Sequence, residues 1–164
     1  MLYGEHGHFA EAVRPLEQAA RLDRDSSETQ HNLGLTYFRL RRYAEARAAL
    51  EQAVVLRPDF FGSNSLLGAT LYALGEDDTS YKVLTHAHAL NPQDDDTANL
   101  LFKEALILAG REETHQNYDS ALTFLQTAAC LHPENQAVQQ RVSELSRRLG
   151  PPPAPKRNGS NSPP

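Results

Sequence analysis

Apolar residues recur at helical spacing along most of the chain. Leu33, Tyr37 and Leu40 form one stripe, and Ala46, Leu50, Ala53 and Val54 form a second one shortly after it. Steps of three and four residues mark one face of an α-helix, so each stretch is predicted to be a helix with one buried side. The pattern then returns. Leu33-Gly34-x-x-Tyr37 comes back 34 residues later as Leu67-Gly68-x-x-Leu71, Ala46 as Ser80, Leu50 as Leu84, Ala53 as Ala87, Leu56 as Leu90 and Pro58 as Pro92. Matches held in phase across two units predict a repeat made of one helix pair. Gly34 and Gly68 are expected to let a neighbouring helix close on the backbone, since a mid-helix glycine costs about 1 kcal/mol against alanine and needs a compensating contact. Ala46, Ala53 and Ala87 are expected to do the same on the second helix. Pro58 and Pro92 end that helix. Ser27 with Gln30 predicts a capping box for the helix that carries Leu33.

Extended both ways, the register organises the rest of the chain. Phe9, Ala12, Leu16, Ala19 and Leu22 fit a second helix, so residues 1–25 read as a partial repeat, with Met1 to Tyr3 the remnant of a first helix. Such a start predicts either the C-terminal part of a longer repeat protein, or a product begun at an internal methionine, or a lone helix serving as an irregular cap. Repeats follow at 27–60 and 61–94. A third, at 95–135, has Leu101 and Ala105 on its first helix. Tyr118, Ala121, Leu125, Ala128, Leu131 and Pro133 then fit its second helix, but seven residues late. An insertion near 110–116 accounts for the delay, with Gly110 expected to stop the first helix and Arg111–Gln116 to loop out or lengthen the next one. Residues 136–150 predict a capping helix. Val138, Val142, Leu145 and Leu149 line its buried seam, and Gln140, Arg141, Glu144, Arg147 and Arg148 back it. The tail 151–164 has eleven positions of proline, serine, asparagine and glycine and no large apolar residue, and is expected to be disordered or partly polyproline.

Leu33, Gly34, Tyr37, Tyr43, Ala46, Leu50, Ala53 and Pro58, followed by Leu67, Gly68, Leu71, Ser80, Leu84, Ala87 and Pro92, resemble the tetratricopeptide repeat family. Gln30 and Asp77 depart from it, standing where the family often has aromatics. The resemblance implies an all-α fold, a right-handed α-solenoid of antiparallel helix pairs whose first helices line a concave groove. It also implies a non-catalytic scaffold that binds a protein or peptide partner in that groove. By register the lining includes Glu28, His31, Asn32, Leu35, Phe38 and Arg39, then Ser65, Leu66, Ala69 and Tyr72, then Asp96, Asn99, Leu100, Lys103 and Ile107. Leu35 and Leu66 fit either packing between helices or exposure in the groove. Two groove types of the family lack their residues here. A grip on a terminal carboxylate needs basic residues where Gly62 and Leu66 stand, and an asparagine ladder begun at Asn32 is broken by Leu66 and Leu100. The alternatives are a recruiting segment of a larger enzyme, or a structural protein that self-associates through its N-terminal helix.

Composition narrows the partner. The chain has 164 residues, 40% hydrophobic and 23% charged, with 16 basic against 21 acidic side chains and a formal charge of −5. A mildly acidic chain offers no electrostatic funnel for phosphate, so nucleic acid is not expected as a partner. No apolar run is long enough for a membrane span, and the N-terminus lacks a secretory pattern. With a single cysteine, nothing demands an oxidising compartment, and a cytoplasmic location is expected.

Candidate chemistry is sparse. His86 and His88 lie two apart on a helix and do not share a face, while His6 and His8 lack further ligands, so no metal or other cofactor is expected. Asp94-Asp95-Asp96 precedes a helix, where carboxylates cap free amides. Cys130 is expected to be a buried structural thiol rather than a nucleophile. Pro152-x-x-Pro155 with Arg157 fits polyproline-reading domains, and Asn158-Gly159-Ser160 is a glycosylation sequon.

Overall fold

The computed structural model describes residues 3–150, with side chains described from His8 onward; the proline-rich motif and the sequon lie outside these residues. The described chain is eight helices: α1 (Tyr3–Leu22), α2 (Ser27–Arg39), α3 (Tyr43–Leu56), α4 (Phe61–Leu74), α5 (Asp77–Leu90), α6 (Asp95–Thr114), α7 (Tyr118–Leu131) and α8 (Gln136–Leu149). Each helix packs on the next, α2 also touches α4, and α4 touches α6. The result is an α-solenoid of antiparallel helix pairs. Tyr3, expected as part of a preceding first helix, lies in α1 itself.

The recurring glycines have the predicted packing role. A Cβ on Gly34 would lie 2.5 Å from Leu50 Cγ, and one on Gly68 would lie 2.5 Å from Leu84 Cδ2. Leu50 and Leu84 are fully buried, as are Ala46, Ala53, Ser80 and Ala87 around them. The second helix of each pair therefore drops a leucine onto bare backbone of the first. Sixteen positions before Leu125, the same place on α6 is taken by Ala109, also fully buried.

Helix starts keep the 34-residue beat as far as α6. The residue before α2 is Ser26, whose hydroxyl accepts the Thr29 N–H at 3.2 Å. The cap is thus Ser26 paired with Thr29, one residue earlier than the expected Ser27–Gln30 box, and Thr29 also donates its own hydroxyl to Ser26 at 2.9 Å. Asp94 caps α6 as predicted, accepting the Thr97 N–H at 2.9 Å. Asn135 does the same for α8, accepting from Val138 at 3.2 Å.

The first helices end on left-handed residues in matching register: Arg41 (φ 59°), Gly75 (φ 73°), Gln116 (φ 62°) and Gly150 (φ 75°). From 75 to 116 the interval is seven longer than from 41 to 75, and the surplus lies inside α6. That helix has 20 residues, against 13 in α2 and 14 in α4. Gly110 therefore does not stop the first helix, and 110–114 neither loops out nor joins α7. Seven residues make about two helical turns with only ~20° of drift, so the buried face of α6 stays in phase along its whole length. Leu101 and Leu108, one heptad apart, are both buried. Two turns add about 10 Å of length.

Two apolar clusters form the core. One joins Val13, Leu33, Tyr37, Leu50, Leu67 and Leu71, and the other joins Ala105, Ala109, Leu125, Ala128, Val138 and Leu145. Cys130 belongs to neither. It is exposed, because Ala121, Leu125 and Ala128 define the buried stripe of α7 and position 130 lies off it.

Candidate peptide-binding groove

The predicted groove residues all lie on the first helices α2, α4 and α6. They divide by what they touch. His31 is half-buried, its Nδ1 is 3.1 Å from Ser63 Oγ, and its ring meets Phe60 edge-on at 5.4 Å. Burial holds the imidazole below its ordinary pKa, so it joins α2 to α4 as a neutral hydrogen-bonding ring rather than a cation. Ser65 repeats this one unit later, with its hydroxyl 2.8 Å from Thr97 Oγ1 on α6. Phe38 packs on the first core cluster and edge-on against Tyr43 at 5.5 Å. Leu66 also packs against that cluster. These four side chains mainly join neighbouring elements.

The others remain available. Asn32, Arg39, Asn99 and Lys103 are exposed, and Leu35, Ala69, Tyr72 and Leu100 are half-buried. Ile107, on the same helix as Leu100, is 41% exposed. The free lining is therefore an apolar row with polar ends.

Two pockets bear on the site. One of 490 Å³ adjoins the start of α6 and is lined by Asp96, Asn99, Leu100, Phe102 and Lys103, with His132 and Asn135 from the loop before α8. Phe102 and His132 meet edge-on at 4.5 Å. Phe102, His132 and Asn135 were not among the predicted groove residues. Their place depends on how far α7 is displaced along α6, which apolar spacing does not encode. The other pocket, of 510 Å³, opens between α1 and α3 across α2. Ala48 and Ala49 line it at the register positions where α5 carries Lys82 and Val83.

Ion pairs fasten the long helix at its far end. Arg111 holds Asp78 with two bonds of 2.6 and 2.7 Å, which keeps the Asp78 carboxyl below its usual range. Arg141 on α8 donates to Glu113 at 2.9 Å. Among the described residues no cluster of three histidine, cysteine or acidic side chains is placed to hold a metal, and no described helix is long and apolar enough to cross a membrane.

Helix pairs closed by a leucine on a glycine, capped at a fixed interval and stacked in one direction, are the geometry of the family that the sequence resembles. A family model described as tetratricopeptide repeat matches residues 27–60. Residues 27–60 are a tetratricopeptide repeat, and the chain has the fold of tetratricopeptide-repeat proteins. Among solved structures, this repeat protein is similar to the first such domain of Spaghetti (RPAP3) bound to the HSP90 peptide SRMEEVD, with 26% identity over 65% of this chain and 85% of that one, and a TM-score of 0.61. It is similar to MamA from Desulfovibrio magneticus RS-1, with 23% identity over 88% of this chain and 78% of that one, at a TM-score of 0.60. It is also similar to the second domain of human RPAP3 in complex with the HSP70 peptide SGPTIEEVD, with 18% identity over 61% and 83%, at 0.57. No curated protein matches the sequence.

Proposed function

We propose that this repeat protein is a non-catalytic scaffold that holds an extended segment of a partner protein along α2, α4 and α6. In this reading the repeats run 27–60, 61–94 and 95–135, and 136–150 is the cap. The observation that carries it is an apolar row on the first helices outside the core: Leu35, Tyr72, Leu100 and Ile107 stay partly open, while Leu33, Leu67, Leu71, Leu101 and Leu108 of the same helices are buried. An apolar row left open across successive helices is what a partner segment covers. The RPAP3 domain of the same fold, solved with a bound peptide, supports the reading. Gly62 and Leu66 are not basic, so the grip on the guest is not a carboxylate clamp of the chaperone-binding kind. The site of action is the cytoplasm.

The test is selection from a displayed library of random linear peptides. Enriched peptides are then titrated against the wild-type chain and against Leu35→Asp and Tyr72→Ala, with circular dichroism confirming that both variants fold. Losing one central anchor is expected to weaken binding about tenfold or more. Enriched peptides that bind both variants unchanged, or the absence of any enriched peptide, would sink the proposal.

A second reading has its own observation. Ala12, Leu16 and Ala19 of α1 are half-exposed, although Ala46, Leu50 and Ala53 at the same register are fully buried, and Leu22 is 89% exposed. This face suits pairing with α1 of a second copy. Sedimentation at rising concentration tests it: a species that stays monomeric throughout rejects it.

A further inference from the structure

Neighbouring first helices are joined by a recurring contact near their starts. His31 of α2 bonds Ser63 of α4, and Ser65 of α4 bonds Thr97 of α6. Positions 31, 65 and 99 are in register, so Asn99 is the next member of the series. Its partner would be Val138 of α8, which has no side-chain polar atom to offer. The two helices are in any case apart at this end. Among the described residues the backbones of α6 and α8 do not close on each other as those of α2 and α4 or α4 and α6 do, and their side chains meet toward the far end of α6, where Arg141 bonds Glu113. The seven extra residues explain the gap. α6 starts in register with α4 but ends two turns later, so α7 and the loop before α8 are carried about 10 Å along its axis. His132 therefore meets α6 at Phe102 rather than at the helix start. The first two turns of α6 overhang, and the 490 Å³ pocket is the space that α8 leaves uncovered.

We infer that this overhang is a discrete binding pocket for an extended peptide of a partner protein, one that carries a bulky apolar side chain beside an acidic one. The inference rests on the groove reading above and names where its strongest contact lies. Leu100 and Phe102 supply the apolar floor. Asn99 is exposed, and Asn135 spends only its Oδ1 on capping α8, so two amide groups are free to bond a peptide main chain. Lys103 makes no ion pair among the described residues and stands at the pocket edge. Asp96 lies two turns away along the same face, so a second acidic side chain at that end is repelled. One cation and one anion at opposite ends fix the direction of the guest.

Peptides enriched from the random linear library are titrated by fluorescence anisotropy against the intact chain and three variants: Asn99→Ala, Lys103→Glu and Tyr72→Ala. The expected result is enrichment of apolar–acidic pairs. Asn99→Ala and Lys103→Glu should each weaken these peptides about tenfold. Repeating the selection on Lys103→Glu should exchange the acidic preference for a basic one, a readout that misfolding does not produce. If affinity falls with Tyr72→Ala but is indifferent to Asn99→Ala and Lys103→Glu, this inference is overturned and the general groove reading stands. The reverse pattern supports the pocket. A library that yields no binder overturns both.

Discussion

The α2–α5 half and the α6–α8 half of the solenoid use the same parts at different spacings. In the first half, Gly34 and Gly68 each receive a leucine sixteen positions later, and each first helix is joined to the next at its start. In the second half, the pair at the hairpin is Ala109 with Leu125, the left-handed turn residue is Gln116, and the joint at the helix start is missing. A heptad inserted in one helix leaves the buried face in phase and moves everything after it along the axis. Packing between α6 and α7 is thus kept, while the joint between α6 and α8 at the helix start is lost and their contact shifts toward the far end of α6, where Arg141 bonds Glu113. The solenoid tolerates the insertion because its core is made of nearest-neighbour contacts.

The hardest way to break the comparison is to fill the glycine sites. Gly68→Val places side-chain atoms within 2.5 Å of the fully buried Leu84, and Gly34→Val does the same to Leu50. Each is expected to cost about 3 kcal/mol, read as a lowered urea midpoint. Gly110 is also inside a helix, but nothing lies within 4 Å of its absent Cβ. Gly110→Ala should raise stability by about 1 kcal/mol. If all three variants behaved alike, the packing role of the glycines would be wrong.

That contrast marks how far the sequence can be read. The glycines at 34 and 68 show their purpose because they recur with the leucines that press on them. Gly110 has no such companion, and the expectation that it ends a helix came from residue type alone. The position of the insertion was illegible for a physical reason: seven residues return the chain to the same helix face, so Leu101 and Leu108 fit the stripe equally well. The groove was half legible. Register placed its residues on first helices, but it gave no sign that His31 and Ser65 are taken up by the next helix, a contact that exists only once helices stack. Cys130 was misjudged from its apolar neighbours, although the spacing of Ala121, Leu125 and Ala128 already put position 130 off their face.

A middle-sized effect is expected at Glu104. Its register counterparts are Thr36 and Thr70, which satisfy themselves by donating to the Asn32 and Leu66 carbonyls at 2.8 and 2.7 Å. Glu104 is fully buried, and neither carboxyl oxygen has a partner among the described residues. Burial pushes its pKa above the usual carboxylate range; the nearby Ser80 hydroxyl, which donates to the Gly68 carbonyl rather than to the carboxylate, opposes this, and the Asp77 and Asp78 charges add to the rise. Below that range the group is protonated in both states. As pH rises through it, the unfolded chain ionises first, and stability falls until the raised folded pKa is passed. Glu104→Leu, of similar size, should therefore stabilise by about 2 kcal/mol at mildly alkaline pH and by less in acid. Thermal unfolding across the pH range checks both size and trend; a gain independent of pH would mean that Glu104 folds in its charged form.

The smallest effect tests whether the two halves share one hairpin despite the inserted turns. Arg41 and Gln116 hold left-handed backbone angles that Gly75 adopts at the same register without a Cβ penalty. A non-glycine residue there carries a strain of about 1–2 kcal/mol, part of which returns as the greater freedom of glycine in the unfolded chain. Arg41→Gly and Gln116→Gly are each expected to raise stability by about 0.5 kcal/mol, and the double variant by about 1 kcal/mol, since they lie in separate hairpins. Arg41 makes no ion pair among the described residues that the change would forfeit. Differential scanning calorimetry on the four proteins of this cycle resolves the sum better than either part. Equal gains mean that α6–α7 turns back as α2–α3 does and that the extra length is confined to the helix. A gain at position 41 with a loss at 116 would show that the longer helix needs a different turn, and the shared-hairpin account of the α6–α8 half would have to be given up.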